Sequence, residues 1–160
     1  MPVQLSKKAK KVQAVILEKG FELKVKELPD STRTAKDAAL AVGCEVAQIA
    51  KSLVFMDEKT DEPVLVIASG TNRVSILKIE AATGRRLVQA GGKEIKARIG
   101  FAIGGVPPVG HNEPLITILD PDLRQFDRIW AAAGTPNAVF ELKPPDLEPL
   151  TNGRWIDLAE

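Results

Sequence analysis

The chain has 160 residues, of which 44% are apolar and 27% charged, and its 22 lysines and arginines nearly balance its 21 aspartates and glutamates, for a net charge of +1. These values fit one globular domain over residues 1–160 with a core of its own. They exclude a bulk electrostatic attraction to nucleic acid, and no extended basic stripe or helix-turn-helix pattern indicates general DNA binding.

Cysteine and histidine occur once each, at Cys44 and His111. A single cysteine excludes an internal disulfide and every multi-cysteine metal site, and no carboxylate cluster replaces one, so we expect no metal and no other cofactor. Cys44 is expected to be a structural residue, with a Cys–His pair to His111 as the alternative that the sequence leaves open. No apolar run is long enough for a signal peptide or a membrane span, which predicts a cytoplasmic protein without a membrane partner.

The amino-terminal part of the chain predicts a helix, a strand and a second helix. Apolar residues at helical spacing predict the first helix over residues 6–19. Its clustered lysines form either a solvated face or a binding patch, and they are Lys7, Lys8, Lys10 and Lys11. Residues 21–28 alternate apolar and charged side chains, which predicts a half-buried strand. Thr34 is expected to cap a second helix that ends at Gly43.

Residues 49–56 predict a strand that is buried on both faces, because apolar side chains alternate to either side. Lys51 is the exception, since it shares a face with Ile49 and Leu53, where an ammonium without a partner is costly to bury. Either its flexible stem reaches water near the strand end, or its ammonium faces a polar cavity that receives an anionic group. The sequence leaves both interpretations open.

Strands and helices alternate through the rest of the chain. The predicted strands are 63–69, 85–88, 114–119, 129–133, 138–142 and 154–158, and the predicted helices are 75–82, 93–99 and 144–150. Short turns join several consecutive strands, including a polar turn at 57–62 and a second turn at 134–137. This order favours an α/β (α+β) fold with a mixed, mainly antiparallel sheet and flanking helices over a doubly wound parallel sheet.

Residues 104–111, Gly-Gly-Val-Pro-Pro-Val-Gly-His, combine three glycines, two prolines and the single histidine. Glycine permits backbone angles that are closed to other residues, whereas proline fixes the backbone and removes an amide donor. The result is a rigid loop with exposed amides, which either only connects two elements or binds a ligand. Nucleotide-binding glycine motifs and the G-x-S-x-G elbow of hydrolases are absent.

Five segments, in this order along the chain, carry a family resemblance. They are Ser31-Thr32-Arg33-Thr34-Ala35, Ile49-Ala50-Lys51-Ser52-Leu53-Val54-Phe55, Val66-Ile67-Ala68-Ser69-Gly70, Gly104-Gly105-Val106-Pro107-Pro108-Val109-Gly110-His111 and Trp130-Ala131-Ala132-Ala133-Gly134-Thr135-Pro136-Asn137-Ala138-Val139-Phe140. In these segments the chain resembles the YbaK/ProX family of aminoacyl-tRNA deacylases, which are related to the editing domain inserted in bacterial prolyl-tRNA synthetases. The resemblance extends over nearly the whole chain.

The resemblance implies a twisted, partly barrel-like mixed sheet. It also implies hydrolysis of the ester between a wrong small amino acid, such as alanine, cysteine or serine, and the tRNA 3′ end. Lys51 matches the active-site lysine of the family, and Gly104 and Gly105, with Pro107, match its substrate-binding loop. The implied catalytic residues are Lys51, Gly104 and Gly105. The implied substrate-binding residues are Thr32, Val106, Pro107, Gly110 and His111. His111 matches only some subfamilies, and Asn137 stands where the nearest relatives are expected to have histidine.

The residue types and the resemblance combine into one mechanistic hypothesis. Amides of the glycine loop would donate to the ester oxyanion, Lys51 would position the ester, and water would attack, oriented by a substrate hydroxyl or by His111. The expected partners are the 3′ end of an aminoacyl-tRNA and an aminoacyl-tRNA synthetase that supplies affinity. The alternative is a module with the same pocket that binds a tRNA end or an aminoacyl-like ligand without hydrolysis.

Overall fold

The computed structural model of the protein describes residues 5–160. The α-helices of these residues are α1 (Lys7–Glu18), α2 (Ala35–Val42), α3 (Ile76–Thr83), α4 (Gly92–Ile99) and α5 (Leu147–Thr151). Their strands are β1 (Val25–Glu27), β2 (Ile49–Asp57), β3 (Pro63–Ser69), β4 (Leu87–Gln89), β5 (Ile116–Leu119), β6 (Ile129–Ala132), β7 (Ala138–Leu142) and β8 (Arg154–Trp155). Short 3-10 helices lie at Val46–Gln48, Pro121–Gln125 and Pro144–Asp146.

One mixed sheet joins these strands in the order β1-β7-β6-β2-β3-β5-β8, with β4 paired to β2 beside that path. Four pairs are antiparallel, namely β1–β7, β2–β3, β2–β4 and β6–β7. Three pairs are parallel, namely β2–β6, β3–β5 and β5–β8. The predicted fold class, an α/β domain with a mixed, mainly antiparallel sheet and flanking helices, is therefore confirmed.

The strand β3 lies at the centre of the core, and all seven of its residues are buried. Its alternate side chains enter two different apolar clusters, because successive residues of a strand point to opposite faces. Leu65 and Ile67 belong to the larger cluster, in which α1 also packs, whereas Val64 and Val66 belong to the cluster that contains Ile79 of α3. Helices therefore cover both faces of the sheet at this point.

The strand β2 is covered on one edge by β3 but only in part on the other edge. On that second edge β6 pairs with Ile49 and Ala50, and β4 pairs with Phe55–Asp57. Residues 51–54 lie between these two partners and, among the described strands, pair only with β3. These four residues are half-buried, whereas the rest of β2 is buried. An opening in the sheet therefore exposes the part of β2 that contains Lys51.

Two strands, β1 and β8, have fewer than half of their predicted residues. The strand β1 keeps only Val25–Glu27 of the predicted 21–28, because a glutamine of α1 takes the hydrogen bonds of the preceding segment. Gln13 Nε2 donates to the Leu23 carbonyl, and the Val25 amide donates to Gln13 Oε1, both at 2.8 Å. The strand β8 keeps only the first two residues of the predicted 154–158, because its partner β5 ends at Leu119.

The helix boundaries follow the predictions closely, with one correction. Thr34 Oγ1 accepts a hydrogen bond from the Asp37 amide at 3.0 Å, so the predicted cap of α2 is confirmed. The predicted helix 144–150 is divided into the 3-10 turn Pro144–Asp146, with prolines at its first two positions, and the α-helix Leu147–Thr151. None of the helices within residues 5–160 has the length and apolar character that a membrane crossing requires.

Candidate active site

A cavity of about 230 Å³, which we call the Lys51 cleft, opens at the uncovered edge of β2. Its walls come from the segment that leads into α2, from β2, from β6 and from the loop that follows α4. The polar side chains of this lining belong to Thr32, Arg33, Thr34, Lys51 and Ser52, and the larger apolar ones belong to Ile49, Leu53, Ile103, Val106, Trp130 and Val139. Of the predicted site residues, the structure brings Thr32, Lys51, Gly104 and Val106 together around this cleft.

Lys51 is half-buried at the cleft and its ammonium contacts backbone carbonyls. Its Nζ donates to the Asn72 carbonyl at 2.6 Å and to the Gly70 carbonyl at 3.3 Å, in the turn between β3 and α3. Burial lowers the pKa of the Lys51 ammonium below its ordinary value, and the negative charge of Asp120 opposes part of that shift. The side chain is therefore held in one place by neutral acceptors and has no carboxylate as a direct partner among residues 5–160.

Asp120 is a buried carboxylate that holds the turn on which Lys51 rests. Its Oδ2 accepts hydrogen bonds from the Ser69 amide at 3.0 Å and from Asn72 Nδ2 at 2.7 Å, and its Oδ1 accepts from the Asp122 amide at 2.9 Å. The Asn72 residue thus connects the two groups, since its side chain contacts Asp120 and its carbonyl contacts Lys51. Sequence reasoning missed this support, because Asp120 followed by Pro121 indicated only the end of a strand.

Gly104 and Gly105 have different roles in the loop. Gly104 has φ +90° and lies so near Arg33 that a Cβ at this position would be 2.5 Å from Arg33 Cγ. Its amide has no hydrogen-bond partner among residues 5–160. Gly105 is buried, and its amide already donates to the Ala102 carbonyl at 3.0 Å, while its carbonyl accepts from the Gly134 amide at 2.9 Å. The expectation that both glycine amides are free donors is corrected: Gly105 closes a turn of the loop.

Thr32 forms a buried corner of the cleft. Its amide and its Oγ1 both donate to the Pro136 carbonyl, at 2.6 Å and 2.9 Å. The hydroxyl is thus used to attach the segment before α2 to the turn between β6 and β7. Val106 is also buried and contributes an apolar wall. Both residues give the cleft its shape, and the Thr32 hydroxyl is already occupied within the protein.

Four further predicted residues lie outside the lining of the Lys51 cleft, and His111 is the clearest case. Its Nε2 is 2.6 Å from the Pro107 carbonyl, and its ring packs edge-on against Phe101 with centroids 6.3 Å apart. Burial lowers the pKa of the His111 imidazole. His111 and Gly110 line a separate cavity beside α1, and Pro107 and Gly105 line neither.

Cys44 lies near the end of α2, in a small apolar cluster with residues of that helix and Trp130. Its Sγ donates to the Glu45 carbonyl at 3.3 Å. Burial raises the pKa of the Cys44 thiol, and the charges of Glu45 and Glu141 add to the effect. A raised pKa keeps the sulfur in its less nucleophilic thiol form. Cys44 shares no cavity lining with His111, so the structure favours the structural role over a Cys–His pair.

A second cavity of about 170 Å³ continues from the Lys51 cleft along β2. The two cavities share Ser52, Leu53, Ile103 and Val106 in their linings. The Ser52 hydroxyl is buried and has no hydrogen-bond partner within residues 5–160. Buried hydroxyls are normally paired, so an unpaired one between two cavities marks a position where a ligand group fits. Sequence reasoning missed Ser52, although it adjoins Lys51 in the strand.

Arg33 provides a second positive charge at the cleft. Its side chain lines the cavity, and the described residues contain no carboxylate in ion-pair contact with it. Asn137, by contrast, lies outside the lining, and its Nδ2 donates to the Asp30 carbonyl at 3.1 Å. The cleft therefore carries two cations, Arg33 and Lys51, and can receive an anionic ligand at its rim and a polar one at its inner wall.

Comparisons with known proteins agree on one family. A family model described as an aminoacyl-tRNA editing domain matches residues 29–150, which include the whole lining of the Lys51 cleft. The uncharacterised protein YwhH of Bacillus subtilis is 31% identical over 137 residues, which are 85% of this chain and 87% of YwhH. EbsC of Enterococcus faecalis, provisionally named a Cys-tRNA(Pro)/Cys-tRNA(Cys) deacylase, is 29% identical over 127 residues, which are 79% of this chain and 77% of EbsC.

A solved structure gives a stronger likeness. The crystal structure of a protein provisionally described as a trans-editing enzyme for prolyl-tRNA synthetase superposes with a TM-score of 0.92. The two sequences are 51% identical, and the match covers 98% of this chain and 99% of the other.

Proposed function

The chain belongs to the family of aminoacyl-tRNA editing domains, and we propose that it acts in trans as an aminoacyl-tRNA deacylase for a small amino acid. Its reaction class is hydrolysis of the ester that joins an amino acid to the 3′ end of tRNA. The likeness to a protein described as a trans-editing enzyme supports action beside a prolyl-tRNA synthetase. The observation that carries the proposal is the position of the Lys51 ammonium, which backbone carbonyls hold at the inner wall of a cleft that also contains Arg33 and Gly104.

The proposed chemistry is attack of water on the ester carbonyl. The water oxygen bonds to the carbonyl carbon, the carbon–ribose oxygen bond breaks, and the ribose oxygen leaves with a proton. Lys51 supplies a positive charge to the tetrahedral intermediate, and the unpaired Gly104 amide donates to its oxyanion. Arg33 binds a phosphate of the tRNA end. The products are the free amino acid and tRNA with a free ribose hydroxyl.

Activation of the water is assigned to the substrate. The described lining of the Lys51 cleft contains no carboxylate and no imidazole, and His111 lies at another cavity. A general base must come within hydrogen-bond reach of the proton that it removes. We therefore propose that the free ribose hydroxyl beside the ester orients the attacking water, and that His111 supports the loop.

The preference for a small amino acid rests on the walls of the cleft. About 230 Å³ must hold the aminoacyl group together with part of the ribose, and apolar side chains such as Ile49, Val106 and Val139 enclose it. An apolar pocket discriminates between amino acids that differ by one methylene by only about 1–3 kcal/mol. We therefore propose alanine, serine and cysteine as substrates of comparable rank, with larger residues excluded by volume.

A second candidate function has one observation in its favour. Because the lining lacks a protein base, the same cleft fits a module that binds an aminoacyl-tRNA end and does not hydrolyse it. Such a module would protect the ester instead of cleaving it. The two functions differ in one measurable quantity, the rate at which free amino acid is released.

The test is a deacylation screen with purified protein and tRNAs charged with labelled alanine, serine, cysteine, threonine or proline. We expect release of at least one of the small amino acids well above the rate without protein, and little release of proline from its cognate tRNA. Each reaction is compared with a Lys51→Ala variant whose melting curve shows that it is folded. If the folded wild type binds tRNA and releases no amino acid in any of the five reactions, the deacylase is wrong and the binding module is supported.

A further inference from the structure

The uncovered edge of β2 is a place where an extended ligand can bind. The cavities of about 230 Å³ and about 170 Å³ lie side by side along this edge, and residue 52 lines both of them. An edge without a partner strand offers backbone donors and acceptors in a regular row. Extended ligands commonly bind such an edge as if they were an additional strand.

The direction of each backbone group on β2 follows from the hairpin with β3. The Asp57 amide donates to the Glu62 carbonyl at 2.8 Å, so this pair is hydrogen-bonded across the hairpin. In the next pair, Met56 with Pro63, no exchange of two hydrogen bonds is possible, because proline has no amide hydrogen. Bonded and non-bonded pairs alternate along an antiparallel ladder. The pairs of Ser52 with Ile67 and of Val54 with Leu65 are therefore non-bonded.

Two contacts at the other end of β3 agree with this assignment. The Ile67 carbonyl accepts from the Asp120 amide at 2.9 Å, and the Ser69 amide donates to Asp120 Oδ2 at 3.0 Å, so these groups of β3 point away from β2. Consequently the amide and the carbonyl of Ser52 point to the uncovered edge. Neither β6 nor β4 pairs with Ser52, and neither group bonds to a loop or side chain within residues 5–160. The buried Ser52 hydroxyl has no partner within these residues either.

We propose that Ser52 forms a one-residue antiparallel β-bridge with the aminoacyl group of the substrate. In such a pair two residues exchange both of their hydrogen bonds. The α-ammonium of the substrate donates to the Ser52 carbonyl, and the ester carbonyl oxygen accepts from the Ser52 amide. As this oxygen gains negative charge in the tetrahedral intermediate, the Ser52 amide becomes an oxyanion donor beside Gly104. The inference rests on the proposed deacylase function and assigns the substrate to one register.

The charges of the cleft select the antiparallel direction. In an antiparallel bridge the acyl end of the ligand points toward lower residue numbers of β2, so the ester oxygen and the ribose lie toward Lys51 and Arg33. The α-ammonium then lies on the side of Val54 and of the second cavity, whose lining contains no cationic side chain. In a parallel bridge the ligand's ammonium would donate to the Ser52 carbonyl, and its carbonyl oxygen would accept from the Val54 amide. The ribose and its phosphate would then lie away from both cations.

The protein-side test compares two proline variants of the same edge. Ser52→Pro removes the amide hydrogen that the antiparallel bridge requires, and Val54→Pro removes the neighbouring outward amide, which only the parallel bridge requires. Neither amide bonds to β3, and proline is tolerated in strands where the amide faces outward. With a substrate from the deacylation screen, we expect Ser52→Pro to lower kcat by about 10²–10³-fold, as for loss of an oxyanion donor, with Val54→Pro far less affected.

The substrate-side test uses wild-type protein and tRNA that carries the propionyl ester in place of the alanyl ester. Both rates are divided by the spontaneous hydrolysis rates, because the ammonium itself activates the ester. We expect the normalised rate to fall by about 10–100-fold when the ammonium is absent, the range for a hydrogen bond to a charged group. If Ser52→Pro does not fold, the comparison of the two esters is the remaining test of the bridge.

Three results would overturn the bridge while the deacylase function stands. They are full activity of folded Ser52→Pro, a loss in Val54→Pro as large as in Ser52→Pro, and equal normalised rates for the two esters. If the wild type deacylates none of the charged tRNAs, the proposed function fails first and the bridge fails with it. A large loss confined to Ser52→Pro, or a large loss with the propionyl ester where that variant does not fold, supports the bridge.

Discussion

Lys51 and His111 are similar in chemistry and differ in surroundings. Both are basic side chains in partly buried positions, both lie close to backbone carbonyls, and burial lowers the pKa of both. Lys51, however, contacts the carbonyls of the turn between β3 and α3 and lines a cleft that also contains Arg33, which has no ion-pair partner within residues 5–160. His111 contacts a carbonyl four residues away in its own loop and packs on Phe101.

A lowered pKa does not by itself locate an active site. Perturbed pKa values arise in structural networks as well as in catalytic ones. What separates the two residues is the content of the neighbouring cavity. The Lys51 cleft contains cations without a carboxylate, a Gly104 amide that has no partner within residues 5–160, and the uncovered edge of β2. The cavity beside His111 contains the cations Lys11 and Lys19 together with the carboxylate Glu113 and does not include the edge of β2.

The largest effect is expected for Lys51. The proposed mechanism places the charge of Lys51 beside the developing oxyanion, so we expect Lys51→Ala to lower kcat/KM for the deacylation substrate by about 10²–10³-fold. Lys51→Gln keeps a donor for the Asn72 carbonyl and lacks the charge, so it should lose nearly as much activity while retaining a wild-type melting temperature. Activity close to wild type in folded Lys51→Gln would mean that the lysine only supports the turn between β3 and α3.

Gly104 and Gly110 form a matched pair at the two ends of the loop. Both have φ +90°, so alanine at either position should cost about 1–2 kcal/mol of folding free energy for the left-handed backbone. Their surroundings differ, because a Cβ at residue 104 would lie 2.5 Å from Arg33 Cγ, whereas one at residue 110 would be 3.7 Å from its nearest neighbour, Val15 Cγ2.

Gly104→Ala and Gly110→Ala should have similar melting temperatures but different deacylation rates. We expect Gly104→Ala to lower kcat/KM by about tenfold or more, since it moves Arg33 and the loop amide by a fraction of an ångström in a site that depends on positioning. Gly110→Ala should retain the specific activity of the wild type at a temperature where it is folded. Equal losses of activity in the two variants would show that the loop acts as one rigid unit and that its Gly104 end has no separate role.

Much of the fold could be predicted because the signals are local. Alternation of apolar side chains identified β2 and β3, glycines marked the helix ends, and Lys51 stood out as a charge on a buried face. The length of β1 could not be predicted, because it depends on the side chain of Gln13 in α1, which takes the hydrogen bonds that a longer strand would use. The strand propensity of a segment indicates which structure the segment can form. It does not indicate which distant side chain competes for the hydrogen bonds of its backbone.

The candidate site was predictable only in part for the same reason. Lys51 and Gly104 were found from residue type and resemblance. The uncovered edge of β2 was not, because it exists only where β6 and β4 pair with opposite ends of that strand. Asp120 was missed because its contacts are distant in sequence: Ser69 is 51 positions away from it and Asn72 is 48 positions away. Gly105 was assigned a free amide because no sequence signal shows that the Ala102 carbonyl takes it.

Arg33 should affect binding more than chemistry. Arg33→Ala removes one cation from the rim of the cleft, so we expect KM for aminoacyl-tRNA to rise severalfold with a smaller change in kcat. The dependence of log KM on log salt concentration should decrease by about one unit of slope, as for the loss of one phosphate contact. The matched control is Lys36→Ala, an exposed cation on α2 that does not line the cleft. Equal changes in the two variants would indicate a general charge effect and no specific phosphate contact.

The smallest effect is expected for His111 and concerns stability. Since burial lowers its pKa in the folded state below the ordinary value of 6.5, the unfolded chain binds more protons than the folded one in the interval between the two pKa values. Stability therefore rises with pH in that interval and is lost as pH falls below about 6.5. His111 is the only histidine of the chain, so no other imidazole contributes to this window.

Removing the imidazole should remove that pH dependence and leave catalysis intact. The side-chain amide introduced by His111→Gln can still donate to the Pro107 carbonyl but does not titrate, so the melting temperature of this variant should fall less than that of the wild type between pH 7 and pH 5. At neutral pH its deacylation rate should equal that of the wild type, because the imidazole lines a separate cavity and has no role in the proposed mechanism. A large loss of kcat in the folded variant, with an acid limb of the pH profile that disappears at the same time, would place His111 in the reaction and would remove the distinction between the two cavities.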